Sequence, residues 1–231
     1  MYKSNYLVCF IYSDIMSKES WHYVRIGLIY VYRENATGSE RKKELLIMKK
    51  NIGKSLALYP TPLVVIGAMN GSRPTWTLVA HIGIIGHDRV LVSLASAHFI
   101  NDIIMEIGKL SFNLVDEAML PKADYTGFVS GKKVDKSNLF DFELGENGTP
   151  IIKESPLAIE CTVVDRYDTK GFETFICTID GTYVEEEHLN EAGKVNYNTL
   201  KPILFEFPTY GYLKTGEVVA PCLSYAKEMN K

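Results

Sequence analysis

A chain of 231 residues that is 46% hydrophobic and 23% charged carries enough apolar material for one large folded core and too little charge for a disordered polymer. Its net charge of −3 withholds the basic field that phosphate neutralisation requires, which excludes nucleic acid as a partner. Four cysteines without a CxxC pair exclude a zinc ribbon and a disulfide scaffold, and point to a reducing cytoplasm.

The first 47 residues are set apart: six of the fourteen tyrosines lie there, no proline does, and the polar stretch ENATGSERKKE (Glu34–Glu44) reads as a linker. The apolar run Tyr6–Tyr12 is shorter than the roughly 20 residues of a membrane span. No small-residue cleavage site follows it, so neither a membrane segment nor a secretory leader is expected. Met48 opens MKKNIGKS, which has the form of a natural protein start. Residues 1–47 are therefore expected to be an N-terminal extension, poorly ordered or appended, and residues 48–231 the functional domain.

LVVIGAM (Leu63–Met69) ends at Asn70-Gly71, a dipeptide suited to tight hairpin turns, and the chain is expected to return as one strand over Thr75–Ile85. RVLVSLA (Arg89–Ala95) follows as a nearly continuous apolar strand. Ile100, Ile103, Ile104 and Ile107 fall at i, i+3, i+4 and i+7, one face of a helix that Gly108 is placed to end. LSFNLV (Leu110–Val115) reads as the next strand.

DYTGFVSGKKVDKS (Asp124–Ser137) reads as a loop whose small residues would let backbone N–H groups approach an anion while lysines supply charge. It is not a Walker A loop, because only three residues separate Gly127 from Gly131 and Lys132 is followed by Lys133. LAIECTVVD and FETFICTID flank the turn DTKG (Asp168–Gly171), a register that brings Cys161 near Cys177 as two reduced core thiols. PILFEF (Pro202–Phe207) reads as the last strand. Strands joined by hairpins, with short helices between, predict a mainly β protein, an antiparallel barrel or sandwich.

No G-x-G-x-x-G follows a strand, so a Rossmann domain is unsupported. There is no nucleophile elbow, no histidine spacing that suits a metal, and no Asp or Glu read inside an apolar strand where burial would tune it. Catalytic and metal-binding residues are accordingly left unassigned. A bound cofactor that performs the chemistry is the expectation.

Four blocks in this order, ALYPTPLVVIGA, AHIGIIGHDRVLVSLA, DYTGFVSGKKVDKS and PIIKESPLAIEC, resemble the flavin reductase-like family of FMN-binding split barrels, the group that includes flavoredoxin. The resemblance runs from about Met48 to about Lys227. It implies an antiparallel Greek-key barrel, an oxidoreductase passing electrons from NAD(P)H or a protein donor through bound FMN, and a homodimer that completes its flavin site from two subunits. It leaves open an FMN-bound electron carrier without NAD(P)H activity, working with an electron-transfer protein partner, and a barrel that has become a non-catalytic binding protein.

For cofactor binding the resemblance implies Thr75, Thr77, Ala80 and His81 on the second strand, His98 and Asn101 after the third, Ser130, Gly131 and Lys136 in the loop, and Tyr212 near the C-terminus. Lys136 is expected to meet the flavin as a positive group, the alternative being a surface salt bridge with Asp135 or a neighbour; Lys132 and Lys133 are expected to be solvated. Thr75 stands where the family usually has Asn, His81 where many members have Trp, and Ile100 where relatives commonly carry a Thr that can donate to a phosphate. Asn101 is either a ligand or a helix cap. Tyr212 either covers the site or packs.

Overall fold

The structure, a computed structural model, describes residues 6–15, 24–34, 41–45 and 49–229. The chain divides into two compact units, Met1–Ser55 and Leu56–Lys231. In the first, β1 (Tyr6–Ile15), β2 (Val24–Glu34) and β3 (Arg41–Leu45) form an antiparallel sheet in that order. Arg41–Glu44, assigned to a linker by composition, thus pairs with β2, from Glu34↔Arg41 to Val31↔Glu44. The rest of that expected linker, residues 35–40, and the expected boundary at Met48 lie outside the described residues.

The second unit runs β4 (Thr61–Pro62), β5 (Val64–Asn70), β6 (Arg73–Val79), β7 (Ile82–Ile84), β8 (Arg89–Ala95), α1 (Ile100–Ile107), β9 (Lys109–Leu114), α2 (Leu120–Phe128), β10 (Phe142–Leu144), β11 (Pro150–Ile152), β12 (Leu157–Thr169), β13 (Phe172–Val184), α3 (Tyr197–Leu200), β14 (Ile203–Glu206), β15 (Gly211–Lys214) and α4 (Ser224–Met229). Its main sheet has seven strands in the order β6-β5-β9-β12-β13-β8-β7, every pair antiparallel.

The two edge strands of that sheet are consecutive in the chain, with only Ala80 and His81 between them. Three residue steps span at most about 11 Å, whereas six flat inter-strand spacings would put the edges about 29 Å apart. The sheet must curl until its edges nearly meet, which makes a half-open barrel. This is also why Thr75–Ile85 is two strands where one was expected. The chain turns the corner at Ala80–His81, pinned by Ser93 N–H donating to the His81 carbonyl at 2.8 Å.

β5 explains its own unbroken apolar run by being buried on both faces. Val64, Ile66 and Ala68 enter one core with Val92, Leu94, Leu110, Phe112 and Phe175. Leu63 and Val65 point the other way, into a second core with Trp76, Met119, Phe140 and Ile203. The isoleucine face of α1 covers the first core, and Gly108 ends that helix in the left-handed region at φ 67°. Cys161 and Cys177 are buried, free thiols on inward positions of β12 and β13, opposite Ile179 and Val163 respectively. Burial pushes the Cys177 thiol up to about 12 and raises that of Cys161 as well, which keeps both unreactive at neutral pH.

Five residues of the expected loop, Asp124–Phe128, are instead the end of α2. The signals for that helix stand just upstream. Met119 N–H donates to the Asp116 carboxylate at 2.8 Å, and Pro121 sits in the first turn, where its missing N–H costs nothing. β10, β11 and β15 were likewise not expected, and β15 follows the strand read as the last.

Candidate functional site

α2 lies along β6, and the turn that follows it, Val129–Lys136, folds back toward the start of α1. Together they enclose a cavity of about 250 Å³ lined by Thr75, Trp76 and Thr77 of β6, Ala97–Ile100, Gly127–Gly131 and Lys136. Three of the segments that the resemblance marked, far apart in sequence, thus converge on one place. Gly131 is required by this closure, since a Cβ there would lie 2.9 Å from the Phe99 ring.

Lys136 is the side chain that defines the chemistry. It is 5% exposed, and its Nζ donates to the backbone carbonyls of Trp76 (3.0 Å) and Thr126 (2.7 Å). An ammonium has three N–H donors, so one remains for a ligand. No carboxylate among the described residues lies within ion-pair distance of it: Asp135, the expected alternative partner, bonds Arg73 at 3.1 Å and accepts from Ser137 N–H at 2.9 Å. Desolvation without a compensating anion lowers the Lys136 pKa to about 8.

Beside it, Thr77 Oγ1 and His98 Nδ1 share a hydrogen bond of 3.0 Å. Burial first, and the Lys136 charge second, lower the His98 pKa, so its imidazole is neutral at pH 7. α1 starts on the same wall. Phe99 is its N-cap residue and no side chain caps it; Asn101 N–H donates to the His98 carbonyl at 3.4 Å, and Phe99 and Ile100, where the helix begins, line the cavity. A buried cation, the positive end of a helix dipole and the hydroxyls of Thr75 and Thr77 make a receptor for an anionic, hydrogen-bonding group.

Of the ten residues singled out from sequence, Thr75, Thr77, His98, Ser130, Gly131 and Lys136 line this cavity. Ala80, His81, Asn101 and Tyr212 do not. Ala80 packs its methyl in the second core and takes a 2.7 Å hydrogen bond from Thr61 on its carbonyl. His81 and Tyr212 belong to a surface band of rings: His81 lies 4.6 Å from Phe207, which lies 5.1 Å from Phe205, which lies 5.8 Å from Tyr212. The Tyr212 hydroxyl bonds the Asp124 carboxylate of α2, and burial together with that partner pushes its pKa up to about 12. Asn101 is the second residue of α1 and not its cap; fully buried, it ties the Ala95 carbonyl (3.1 Å) to the Glu173 carboxylate (2.9 Å).

Three aromatic wall residues, Trp76, Phe99 and Phe128, escaped sequence reasoning, because apolar rings carry no motif. Phe128 stands at the mouth with 86% of its surface exposed. One reading is overturned outright: Glu160 is a carboxylate inside an apolar strand, 1% exposed, accepting from the Tyr183 hydroxyl (2.8 Å) and Asn147 N–H (3.1 Å). It anchors the turn before β11 to β12, away from the cavity. The acidic turn at Glu185–Glu187 brings two of its carboxylates within 4.8 Å of a His188 nitrogen, but both are solvent-exposed.

The cavity fits part of a flavin. An uncompensated buried ammonium with a free N–H suits either a phosphate or the electron-rich edge of a flavin ring, and the helix N-terminus suits the phosphate. Its volume falls below the roughly 300–1,000 Å³ of a complete small-molecule site, so the wall described houses one portion of such a ligand.

Comparison with known proteins agrees with this chemistry. The family profile for the flavin reductase like domain matches residues 56–213. The fold superposes on flavoredoxin from Methanosarcina acetivorans with a TM-score of 0.74 at 30% identity, covering 79% of this chain and all of that one. Flavoredoxin of Desulfovibrio vulgaris (Miyazaki F) gives a TM-score of 0.72 at 30% identity, covering 78% of this chain and 100% of the other. A curated uncharacterized protein of Aeropyrum pernix is 24% identical over 157 residues, which is 64% of this chain; the match spans 58% of that relative's length.

Proposed function

The chain belongs to the flavin reductase-like family, and from that premise we propose that it is an FMN-binding oxidoreductase that takes electrons from NAD(P)H or a protein donor. The observation that carries the reading is Lys136, a buried cation held by two carbonyls with no acid beside it. Retaining such a group costs stability unless a ligand supplies the missing anion. FMN ends in a phosphate that suits the helix N-terminus, whereas the adenylate of FAD would need a second pocket beside it.

Bound FMN supplies the redox chemistry, accepting electrons from one partner and delivering them to another. The chain's own residues position and polarise. Lys136 holds negative charge, Thr75 and Thr77 present hydroxyls, and neutral His98 is oriented by Thr77. The Ile100 side chain cannot donate to a phosphate, and in its place the positive end of the α1 dipole favours one. The aromatic band containing His81 and Tyr212 supplies flat apolar surface for the remainder of the ligand, and a second copy of the chain completes the enclosure that one cavity wall leaves open. Residues 1–47 are an extension outside this function. A cytoplasmic setting accords with the free buried thiols, and no helix among the described residues is long and apolar enough to cross a membrane.

The test is an absorbance spectrum of the protein purified without added flavin, identification of what is released on denaturation, and steady-state oxidation of NADH and NADPH. Release of FMN with nicotinamide oxidation establishes the reductase. Release of FMN without that oxidation favours the second reading, an electron carrier, which the 30% identity to two flavoredoxins supports. A colourless protein that takes up no FMN overturns both and leaves a non-catalytic binding barrel.

A further inference from the structure

The barrel has a second opening. On the same inward face that carries the first core, but away from Lys136, lies a cavity of about 520 Å³. It shares no lining residue with the Lys136 cavity: β8 contributes Leu91 to one and Ala95 to the other, positions about 13 Å apart along a strand. Its floor is core, with Val64, Leu114 and Leu157 at most 8% exposed, and its rim opens to solvent at Ile84, Thr182, Tyr59 and Tyr197.

We propose that this cavity binds a small neutral molecule with a hydrocarbon body and a single polar end. The lining excludes the other classes. It contains no charged side chain, and its only hydroxyls belong to Thr182 on β13 and to Tyr59 and Tyr197. Phosphates, carboxylates and nucleotides would therefore lose their hydration without gaining a partner. Water is a poor occupant as well, since an ordered water needs two to four polar partners and apolar cavities stay dry or take up hydrocarbons. The volume falls within the roughly 300–1,000 Å³ of small-molecule sites. Thr182, paired opposite Ile159 on β12, can bond one hydroxyl, and Tyr59 and Tyr197, each half exposed, present an apolar body with a polar tip toward solvent. Val90 of β8, packed against the first core and paired with Ile84 of β7, is a wall side chain from which a larger group would enter the space.

The probe is N-phenyl-1-naphthylamine, a neutral dye that brightens in apolar surroundings, titrated into the full-length protein and displaced with decanol. Saturable binding of one dye per chain, displaced by decanol and unaffected by saturating FMN, is expected. Val90→Phe, which enlarges a wall side chain on the core face, should weaken dye binding roughly tenfold or more, because occupying the space of two or three methylene-sized groups removes about that much transfer free energy, while FMN uptake is retained. If that variant fails to fold, decanol competition on the unaltered protein decides alone. Unsaturable dye binding, displacement by FMN, or dye sites that vanish as the chain self-associates would each overturn the proposal, the last by showing that a second copy covers the opening.

Discussion

Lys136 shows how much one side chain can decide. Its burial without a counter-ion holds its pKa near 8, against an ordinary 10.5. Between those values the unfolded chain keeps the proton and the fold does not, so the flavin-free protein gains stability as pH rises through that window. An anionic ligand reverses the preference, because pairing raises the lysine pKa. FMN affinity should therefore be full below about pH 8 and decline above it. Titrations from pH 7 upward test this, where a phosphate monoester (pKa about 6) is already doubly ionised; a pH-independent affinity would exclude Lys136 from the contact. Lys136→Ala should weaken FMN binding about ten- to hundredfold, the loss of one charge-assisted contact of roughly 1.5–3 kcal/mol. Lys132→Ala, which removes the same charge from an exposed position, should fall within about 0.5 kcal/mol of neutral. Equal losses would mean that net charge, not the buried ammonium, attracts the flavin.

At the level of elements, the site depends on how β5, β6 and β9 close over Trp76. Gly67 on β5 faces Trp76 across the hairpin, and a Cβ there would press into the indole ring and come within 2.7 Å of Ser111 Oγ. The indole is packed edge-on to Phe140 at 5.6 Å and cannot retreat freely. Gly67→Ala should therefore destabilise the protein by about 1–3 kcal/mol, the usual cost of overpacking. Because the Trp76 carbonyl also holds Lys136, the variant should bind FMN more weakly than its stability loss explains. Thermal unfolding with and without FMN separates the two effects, and unchanged stability and affinity in the Gly67→Ala protein would show that β5 and β6 are not rigidly seated. α2 matters in the same way: its last turn brings Thr126 to Lys136 and Phe128 to the cavity mouth.

The molecule as a whole bears on assembly. The Lys136 cavity is too small for an entire flavin, and rings such as Phe128 and Tyr210 stand 86% and 77% exposed, an arrangement that the proposed second copy would cover. Light scattering at micromolar concentration should show a dimer. The same should hold for a chain lacking residues 1–47, which should also keep its flavin content and thermal midpoint, because the family match begins at residue 56. A truncated protein that is soluble yet monomeric or colourless would place the N-terminal sheet within the working unit.

Local pattern settled the elements whose signals are local: the β5–β6 hairpin from Asn70-Gly71, the α1 face from four isoleucines, and the pairing of β12 with β13 about Gly171. Order along the chain settled the family, because four short blocks in sequence are improbable together by chance. The break at Ala80–His81 came only from tertiary structure, since it is imposed by a sheet closing on itself and not by the residues at the corner. Burial of Lys136 and Glu160 was equally hidden. Whether a charged side chain is solvated depends on which distant backbone covers it, here Trp76 and Thr126 for the lysine and the Asn147 turn with Tyr183 for the glutamate. The grouping of six of the ten marked residues around one cavity was likewise decided by closure of the barrel, because contacts between segments 20 to 60 residues apart are set by packing, which no short stretch of sequence records.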